Sequence, residues 1–184
     1  MISINEVSYS YHRSEEEQIK RISMETDKGE IILLCGRSGS GKTTITKLVN
    51  GLIPHFLEGN LSGATHINGK DTSQMKIYEI SKQVGSVFQN PKTQFFNLDS
   101  DSELTFGLEN KGEDPSEIKK KVSKAVSDLG IERLVNRNVF KMSGGEKQLL
   151  AIASIYATSP EIYVFDEPSA NIDEYGIEKI REAR

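Results

Sequence analysis

The residues with the most evident chemistry form a glycine-rich segment, Gly36-Arg37-Ser38-Gly39-Ser40-Gly41-Lys42-Thr43. Glycines let backbone N–H groups turn toward an anion, and a helix that begins at Lys42 would add a favourable partial charge. The Lys42 ammonium can reach terminal phosphates, and the Thr43 hydroxyl can bind Mg²⁺. A structural glycine-rich turn is the alternative. The apolar run before the segment and the helical pattern after it favour a nucleotide phosphate site.

Two neighbouring acids follow an apolar run near the end of the chain. Ile162-Tyr163-Val164-Phe165 leads into Asp166-Glu167-Pro168. The carboxyl ends of strands are where ligands bind in open α/β sheets. Asp166 is suited to hold Mg²⁺, and Glu167 is suited to polarise an attacking water. Acids also end strands for purely structural reasons, so the pattern indicates a catalytic site only in combination with the phosphate loop.

A second glycine pair opens a later helix, in Ser143-Gly144-Gly145-Glu146. One interpretation is a capping box, in which Ser143 and Glu146 bond each other's backbone amides. The other is an anion site, because two glycines leave amides bare at a helix N-terminus. Both interpretations can hold together.

The elements that must position these residues alternate between strands and helices. Period-two and apolar patterns predict strands, and capping and helical patterns predict helices. The expected strands are 2–7, 31–35, 64–67, 84–88 and 162–165, with Cys35 buried at the end of the second. The expected helices are 42–50, 115–129, 144–157 and one that begins at Asp173. Turns are expected at Asp27-Lys28-Gly29 and Asn68-Gly69, and a loop over 54–63. The fold class is therefore α/β.

The composition of the chain limits the partners and the cellular environment that it could have. The chain has 184 residues, a net charge of −4 and one cysteine. The acidic balance argues against broad nucleic-acid binding, and the single cysteine excludes a disulfide framework. No apolar run approaches the roughly 20 residues that span a bilayer, and the N-terminus lacks a signal pattern. If the protein works at a membrane, something else must hold it there.

The constellation resembles the ATP-binding-cassette ATPases. Besides the phosphate loop with Thr44, the resemblance rests on a glutamine after a strand (Gln89), a signature motif (Met142 to Glu146), the acids Asp166 and Glu167, and the segment from Ser169 to Asp173. It implies that Lys42, Gln89 and Glu167 are catalytic, that Thr43, Gln89 and Asp166 hold Mg²⁺, and that the segment from Ser169 crosses a dimer interface. Tyr11 would lie against adenine, with Tyr9 as the neighbouring candidate.

The resemblance also implies an architecture. The expected fold is a P-loop NTPase with a RecA-like core, an N-terminal antiparallel β subdomain and an inserted α-helical subdomain. Residues 1–90 and 158–184 would form the nucleotide-binding core, and residues about 91–157 the helical signature subdomain. Two such cassettes would pair head to tail, so that the phosphate loop of one and residues Ser143, Gly144, Gly145 and Glu146 of the other enclose each ATP. A further strand and a switch histidine would follow residue 184, so the domain is expected to be incomplete here.

Short strings point to a narrower group. Asn50 to His55, Phe88 to Pro91 and Phe106 to Asn110 look like the ATPase subunits of energy-coupling-factor importers, which take up vitamins or metal ions. The resemblance implies that the segment from Gln89 to Leu98 docks a transmembrane subunit at the cytoplasmic face of the cell membrane. Phe95 and Phe96 would either contact that partner or simply cover the core.

The sequence departs from its relatives in two places and leaves other functions open. Glu146 stands where many relatives have Gln, and Leu149 where many have Arg. A DNA-repair ATPase would need a coiled-coil insertion for which the chain has no room, and a ribosome factor would need a second cassette. A catalytically silent nucleotide-binding fragment is the remaining alternative.

Overall fold

The computed structural model describes residues 1–12, 14 and 16–168. The chain divides into two compact units, Met1–Val84 and the part from Gly85 onward, which are taken in turn. Strands and helices occur in both, which confirms the α/β class. Within the described residues, no helix combines the length and the apolar character that a membrane crossing requires. The helix expected from Asp173 and the segment from Ser169 to Asp173 lie outside the described residues.

An antiparallel sheet dominates the first unit. Its strands are β1 (Ile2–Tyr11), β2 (Ile19–Thr26), β3 (Gly59–Ile67) and β4 (Lys70–Asp71), in the order β2-β1-β3-β4. The central strand β1 pairs with both neighbours, and Ile4, Val7 and Tyr9 on it are buried. The predicted strand at 2–7 and the N-terminal antiparallel sheet are confirmed.

The loop expected over 54–63 is wrong in part. A short helix α2 occupies Leu52–His55, and β3 already begins at Gly59, opposite Tyr11 of β1. The residues before Ala64 carry little strand propensity, and the long partner strand supplies the hydrogen bonds that local sequence does not reveal. The hairpin turn is confirmed, since Asn68 and Gly69 both have positive φ (50° and 78°).

Two longer helices complete the first unit, α1 (Lys42–Val49) and α3 (Ile77–Gln83). Asn50 caps α1, and Gly51 follows with φ 78°, as the helix-stop pattern predicts. Glycine is needed there for the turn, and a Cβ on Gly51 would also come within 2.6 Å of Ile80 Cδ1 on α3, so that side chain would have to shift.

The strand predicted over 31–35 is wrong for the described structure. Residues 31–37 form no regular element, and Ile31, Ile32 and Leu33 are 69%, 48% and 82% exposed. Cys35 is exposed rather than buried. An apolar run becomes a buried strand only where neighbouring strands bond its backbone and other elements cover its faces, and nothing among the described residues pairs with it in that way.

The second unit is mainly helical. Its helices are α4 (Ser100–Asn110), α5 (Pro115–Asp128) and α6 (Gly144–Ala157), and a two-stranded sheet joins β5 (Val84–Val87) to β6 (Ile162–Phe165). The two predicted helices and both strands are confirmed, and α4 was not predicted. Short 3₁₀ turns occupy Pro91–Thr93, Glu132–Leu134 and Val139–Lys141. The core gathers residues from several elements: Val87, Leu104, Leu129, Ile131, Leu134, Val139 and Leu150.

The expectation that β6 is buried holds only in part. Ile162 is buried, whereas Tyr163 and Phe165 are 40% and 39% exposed and stack with their ring centroids 6.1 Å apart. Both aromatic residues lie on the same side of the strand, two positions apart. The sequence therefore predicted that residues 162–165 form a strand, but it did not predict that one face of this strand is partly exposed.

Candidate functional site

The glycine-rich segment forms a tight loop that ends at the N-terminus of α1. Gly39 and Gly41 have φ of 79° and 91°, a region that other residue types rarely adopt. A Cβ on Gly41 would also lie 2.6 Å from Ile19 Cγ2 of β2. The Ser40 N–H donates to the Arg37 carbonyl at 3.2 Å, which closes the loop on itself. The backbone conformation is thus one that presents amides at a helix N-terminus.

Two side chains hold this loop. Lys42 Nζ donates to the carbonyl oxygens of Gly36 and Arg37, both at 3.0 Å, so its ammonium lies over the loop on the exposed side. Gln18 Nε2 donates to the Gly39 carbonyl at 2.8 Å. Sequence reasoning missed Gln18, because no local pattern links it to a loop 21 positions away.

The first turn of α1 contacts the aromatic candidates. Thr43 is exposed, whereas Thr44 is buried and its hydroxyl lies 3.3 Å from that of Tyr11. Lys47 Nζ stands 5.4 Å from the centre of the Tyr11 ring. Tyr9 is only 1% exposed, and its hydroxyl donates to backbone carbonyls of the same unit. Burial raises the pKa of Tyr9. Of the two tyrosines, Tyr11 keeps the more accessible ring.

In the second unit, Gln89 and Glu167 meet. Gln89 Nε2 donates to Glu167 Oε2 at 2.6 Å across 78 positions of sequence. Glu167 has a positive φ of 49°, a conformation that costs a non-glycine residue about 1–3 kcal/mol and clusters at functional sites. Asp166 is 8% exposed, and its N–H donates to the Val87 carbonyl at 3.0 Å. The strand pair β5–β6 therefore places these three residues at one edge.

The capping box at the start of α6 is confirmed. Ser143 Oγ accepts from the Glu146 N–H at 3.2 Å, and Glu146 Oε2 accepts from the Ser143 N–H at 2.8 Å. Ser143 and Gly144 are exposed, and Gly145 is half-buried. A second partner of Glu146 was missed: Arg137 NH1 donates to its Oε1 at 2.6 Å. The bond from the Ser143 N–H, and then the one from Arg137, lower the pKa of Glu146.

The segment after Gln89 presents one aromatic ring and buries the other. Phe95 is half-buried against the core, whereas Phe96 is 76% exposed and stacks on Phe106 at 5.0 Å. Glu103, only 4% exposed, holds this segment: its Oε2 accepts from the backbone N–H groups of Phe96 and Asn97 and from the Asn97 side chain. The two interpretations of the phenylalanines therefore separate, since Phe95 covers the core and Phe96 does not.

The predicted magnesium ligands are all oxygen donors. The Thr43 hydroxyl, a carboxylate oxygen of Asp166 and the amide oxygen of Gln89 suit a hard cation that binds through few protein ligands and keeps waters and phosphate oxygens. Because the Gln89 side chain donates to Glu167 through its amide nitrogen, its amide oxygen remains available to bind a cation. The described residues include no cluster of three or more His, Cys, Asp or Glu side chains that could hold a metal ion.

Comparisons with known proteins agree on one family. The family model for "ABC transporter" matches residues 19–170. A Treponema denticola protein with the provisional name of ABC transporter ATP-binding protein is 50% identical over 182 residues, which is 99% of this chain and 37% of that protein. The chain thus spans little more than a third of the length of this relative.

Solved structures show the same likeness. The cbiO1 protein of Clostridium perfringens, described as part of the ABC transporter complex cbiONQ, is 29% identical with a TM-score of 0.80. The alignment covers 99% of this chain and 71% of cbiO1. The ATP-binding cassette MJ0796, in a dimeric post-hydrolysis state bound to ADP and Pi, is 25% identical with a TM-score of 0.85 over 100% of this chain and 81% of the cassette.

Proposed function

This chain belongs to the ABC transporter family, and on that premise we propose that it binds ATP with Mg²⁺ and hydrolyses it to power a membrane transporter. The observation that carries the proposal is the phosphate loop at the start of α1, with Lys42 drawn over its carbonyls. A positive side chain and a glycine-shaped helix N-terminus together suit the charge of a triphosphate. Tyr11, beside this helix, is the candidate for adenine.

Hydrolysis would use the residues at the edge of β5 and β6. Mg²⁺, held by Thr43, Gln89 and Asp166, would neutralise charge on the phosphates. Glu167 would accept a proton from the attacking water, whose oxygen bonds the γ-phosphorus as the bond to the β–γ bridging oxygen breaks. Gln89 would orient the Glu167 carboxylate and this water through its amide. The hydrogen bond between the two side chains supports this division of roles.

A second cassette would complete each site. The amides of Gly144 and Gly145 and the hydroxyl of Ser143 would contact the triphosphate held by the partner's loop. Exposure of Ser143 and Gly144 at a capped helix N-terminus supports this role, as does the description of the MJ0796 cassette as dimeric. The pairing would be head to tail, between identical chains or related ones.

The membrane partner would dock on the segment from Gln89 to Leu98. Phe96 and Leu98 are exposed apolar side chains there, and the buried Glu103 carboxylate accepts a hydrogen bond from the Asn97 N–H of the same segment. The cbiO1 structure is described as part of the cbiONQ transporter complex, which supports an importer of the energy-coupling-factor type for a small solute such as a vitamin or a metal ion. The chain would then work at the cytoplasmic face of the cell membrane.

Calorimetry with Mg-ATP tests the proposal at its first step. Lys42→Ala removes the ammonium that the triphosphate would meet, and we expect ATP affinity to fall at least tenfold, because a charged hydrogen bond contributes about 1.5–3 kcal/mol. Lys28→Ala is the matched control, since it removes an equal charge from an exposed turn. Circular dichroism verifies that each variant is folded. Equal ATP affinity of folded Lys42→Ala and wild-type protein would overturn the assignment.

A further inference from the structure

The N-terminus of α6 carries a negative charge where an anion is expected. Glu146 occupies the third position of the helix, and the Ser143 N–H and Arg137 lower the pKa of its carboxyl. At neutral pH it is therefore an ionised carboxylate in the turn that presents the amides of Gly144 and Gly145. Unless it is compensated, such a charge would repel a triphosphate approaching those amides. A neutral glutamine could cap the helix without this repulsion.

Arg137 compensates that charge. Its NH1 lies 2.6 Å from Glu146 Oε1, while Glu146 Oε2 accepts from the Ser143 N–H. Both carboxylate oxygens are therefore engaged. The two side chains are 38% and 21% exposed, which places the pair at the surface but not free in solvent. The contact leaves the first turn of α6 close to neutral while it keeps the cap.

The backbone at Arg137 is firmly held. The N–H and carbonyl of Arg137 both bond Ser100, through Oγ at 3.1 Å and the backbone N–H at 2.9 Å. Ser100 is fully buried at the start of α4. The preceding Asn136 has φ 57°, and its N–H donates to Asp101 Oδ2 at 2.6 Å. The guanidinium thus extends toward Glu146 from a rigid support, so less conformational entropy is lost in making the contact.

We propose that Arg137 is a positioning residue for phosphate binding: it neutralises Glu146 and holds its carboxylate in the cap, which lets the start of α6 accept the triphosphate bound by a partner cassette. The inference rests on the proposed function and adds a residue to it. Arg137 does not itself need to touch the nucleotide. Its effect should therefore depend on the charge of residue 146.

A double-mutant cycle tests this dependence. The readout is the ATP concentration required for dimer formation, measured by analytical ultracentrifugation with the Glu167→Gln substitution in every protein to suppress turnover. Arg137→Met should raise that concentration about tenfold, since it leaves the Glu146 charge uncompensated. Added salt should reduce this defect, because screening weakens the repulsion. Arg133→Met, which removes a charge from an exposed neighbouring site, should leave the ATP concentration required for dimer formation unchanged.

The same Arg137→Met substitution in a Glu146→Gln protein, where residue 146 carries no charge, distinguishes a positioning role of Arg137 from a contribution to fold stability alone. Combined with Glu146→Gln, Arg137→Met should have little further effect, so the double variant should match Glu146→Gln alone. Equal defects of Arg137→Met in both backgrounds, or a defect that tracks the melting temperature and ignores salt, would overturn the proposal. So would a normal Arg137→Met protein. Failure of the proposed function itself is recognised by measuring ATP binding to the unpaired chains. If the protein that carries Glu167→Gln alone neither binds ATP nor forms dimers in its presence, the proposed function is wrong, and the role of Arg137 falls with it.

Discussion

At the residue scale, Glu167 stands out because backbone strain and a side-chain contact coincide there. Its φ is 49°, and Gln89 donates to its carboxylate. Glu167→Gln keeps the size of the side chain but removes the base. We expect hydrolysis to fall by a factor of about 10² or more, while ATP-dependent dimers persist. A phosphate-release assay, run beside size-exclusion chromatography in ATP, measures both.

The control for this substitution is Glu132→Gln, an exposed change in a 3₁₀ turn of the same unit. It should alter neither readout. If Glu167→Gln protein releases phosphate at the parent rate, the assignment of the general base is wrong. If it stops hydrolysis and also prevents ATP-dependent association, Glu167 supports binding rather than proton transfer.

Glu146 gives a pH-dependent prediction. A carboxyl whose pKa is lowered in the folded state stabilises the fold above its unfolded pKa of about 4.3, and this contribution disappears as pH falls through the lower folded value. Wild-type protein should therefore lose stability relative to Glu146→Gln as the solution is acidified. Urea denaturation from neutral pH to about pH 3 measures the difference. A difference that is constant with pH would show that the ionised cap contributes nothing.

At the element scale, the segment from Gln89 to Leu98 depends on a residue of the helix that follows it. Glu103 of α4 accepts three hydrogen bonds from Phe96 and Asn97 and is almost fully buried. Glu103→Ala would leave two backbone N–H groups without this partner, and we expect it to lower the free energy of unfolding by about 1–3 kcal/mol. The amides of Phe96 and Asn97 should exchange faster with deuterium.

Glu103→Gln separates hydrogen bonding from charge. An amide oxygen can still accept from one or two of the same groups, so this variant should retain most of the protection that Glu103→Ala loses. Unchanged exchange at Phe96 and Asn97 in Glu103→Ala would mean that the segment is ordered by its other contacts, such as the stack of Phe96 on Phe106.

At the scale of the whole molecule, the exposed ring of Phe96 is the side chain that we propose contacts a membrane partner. The ring is 76% exposed, in contrast to the half-buried Phe95 one position earlier. Phe96→Ser should weaken co-purification with a membrane protein from native membranes in mild detergent, with little change in melting temperature. Phe95→Ser is the matched comparison, and it should lower the melting temperature because that ring packs on the core.

Two outcomes of Phe96→Ser would contradict the proposed docking role of this ring. A large loss of stability in Phe96→Ser, with partner capture reduced only in proportion, would make Phe96 a structural residue. Retention of the partner by a folded Phe96→Ser protein would move the docking surface elsewhere on the chain.

Much of the candidate site could be predicted from sequence because its signals are local. The turn at Gly39 and Gly41, the cap formed by Ser143 and Glu146, and the stop at Gly51 each depend on the conformational limits of a few adjacent residues. Helices α5 and α6 follow from caps and apolar spacing of the same range. The family model matches residues 19–170, a range that includes all of these motifs.

Only the tertiary structure could decide the contacts between distant segments. The pairing of Gln89 with Glu167, of Gln18 with Gly39 and of Arg137 with Glu146 joins side chains that have no common local pattern. The same limit explains the errors in strands. An apolar run at Ile31 was expected to pair and does not, while Gly59 begins a strand that its own propensity does not favour. Helices make their hydrogen bonds within a few residues, whereas a strand forms only where another segment supplies the partner, and the sequence of one segment does not specify that neighbour.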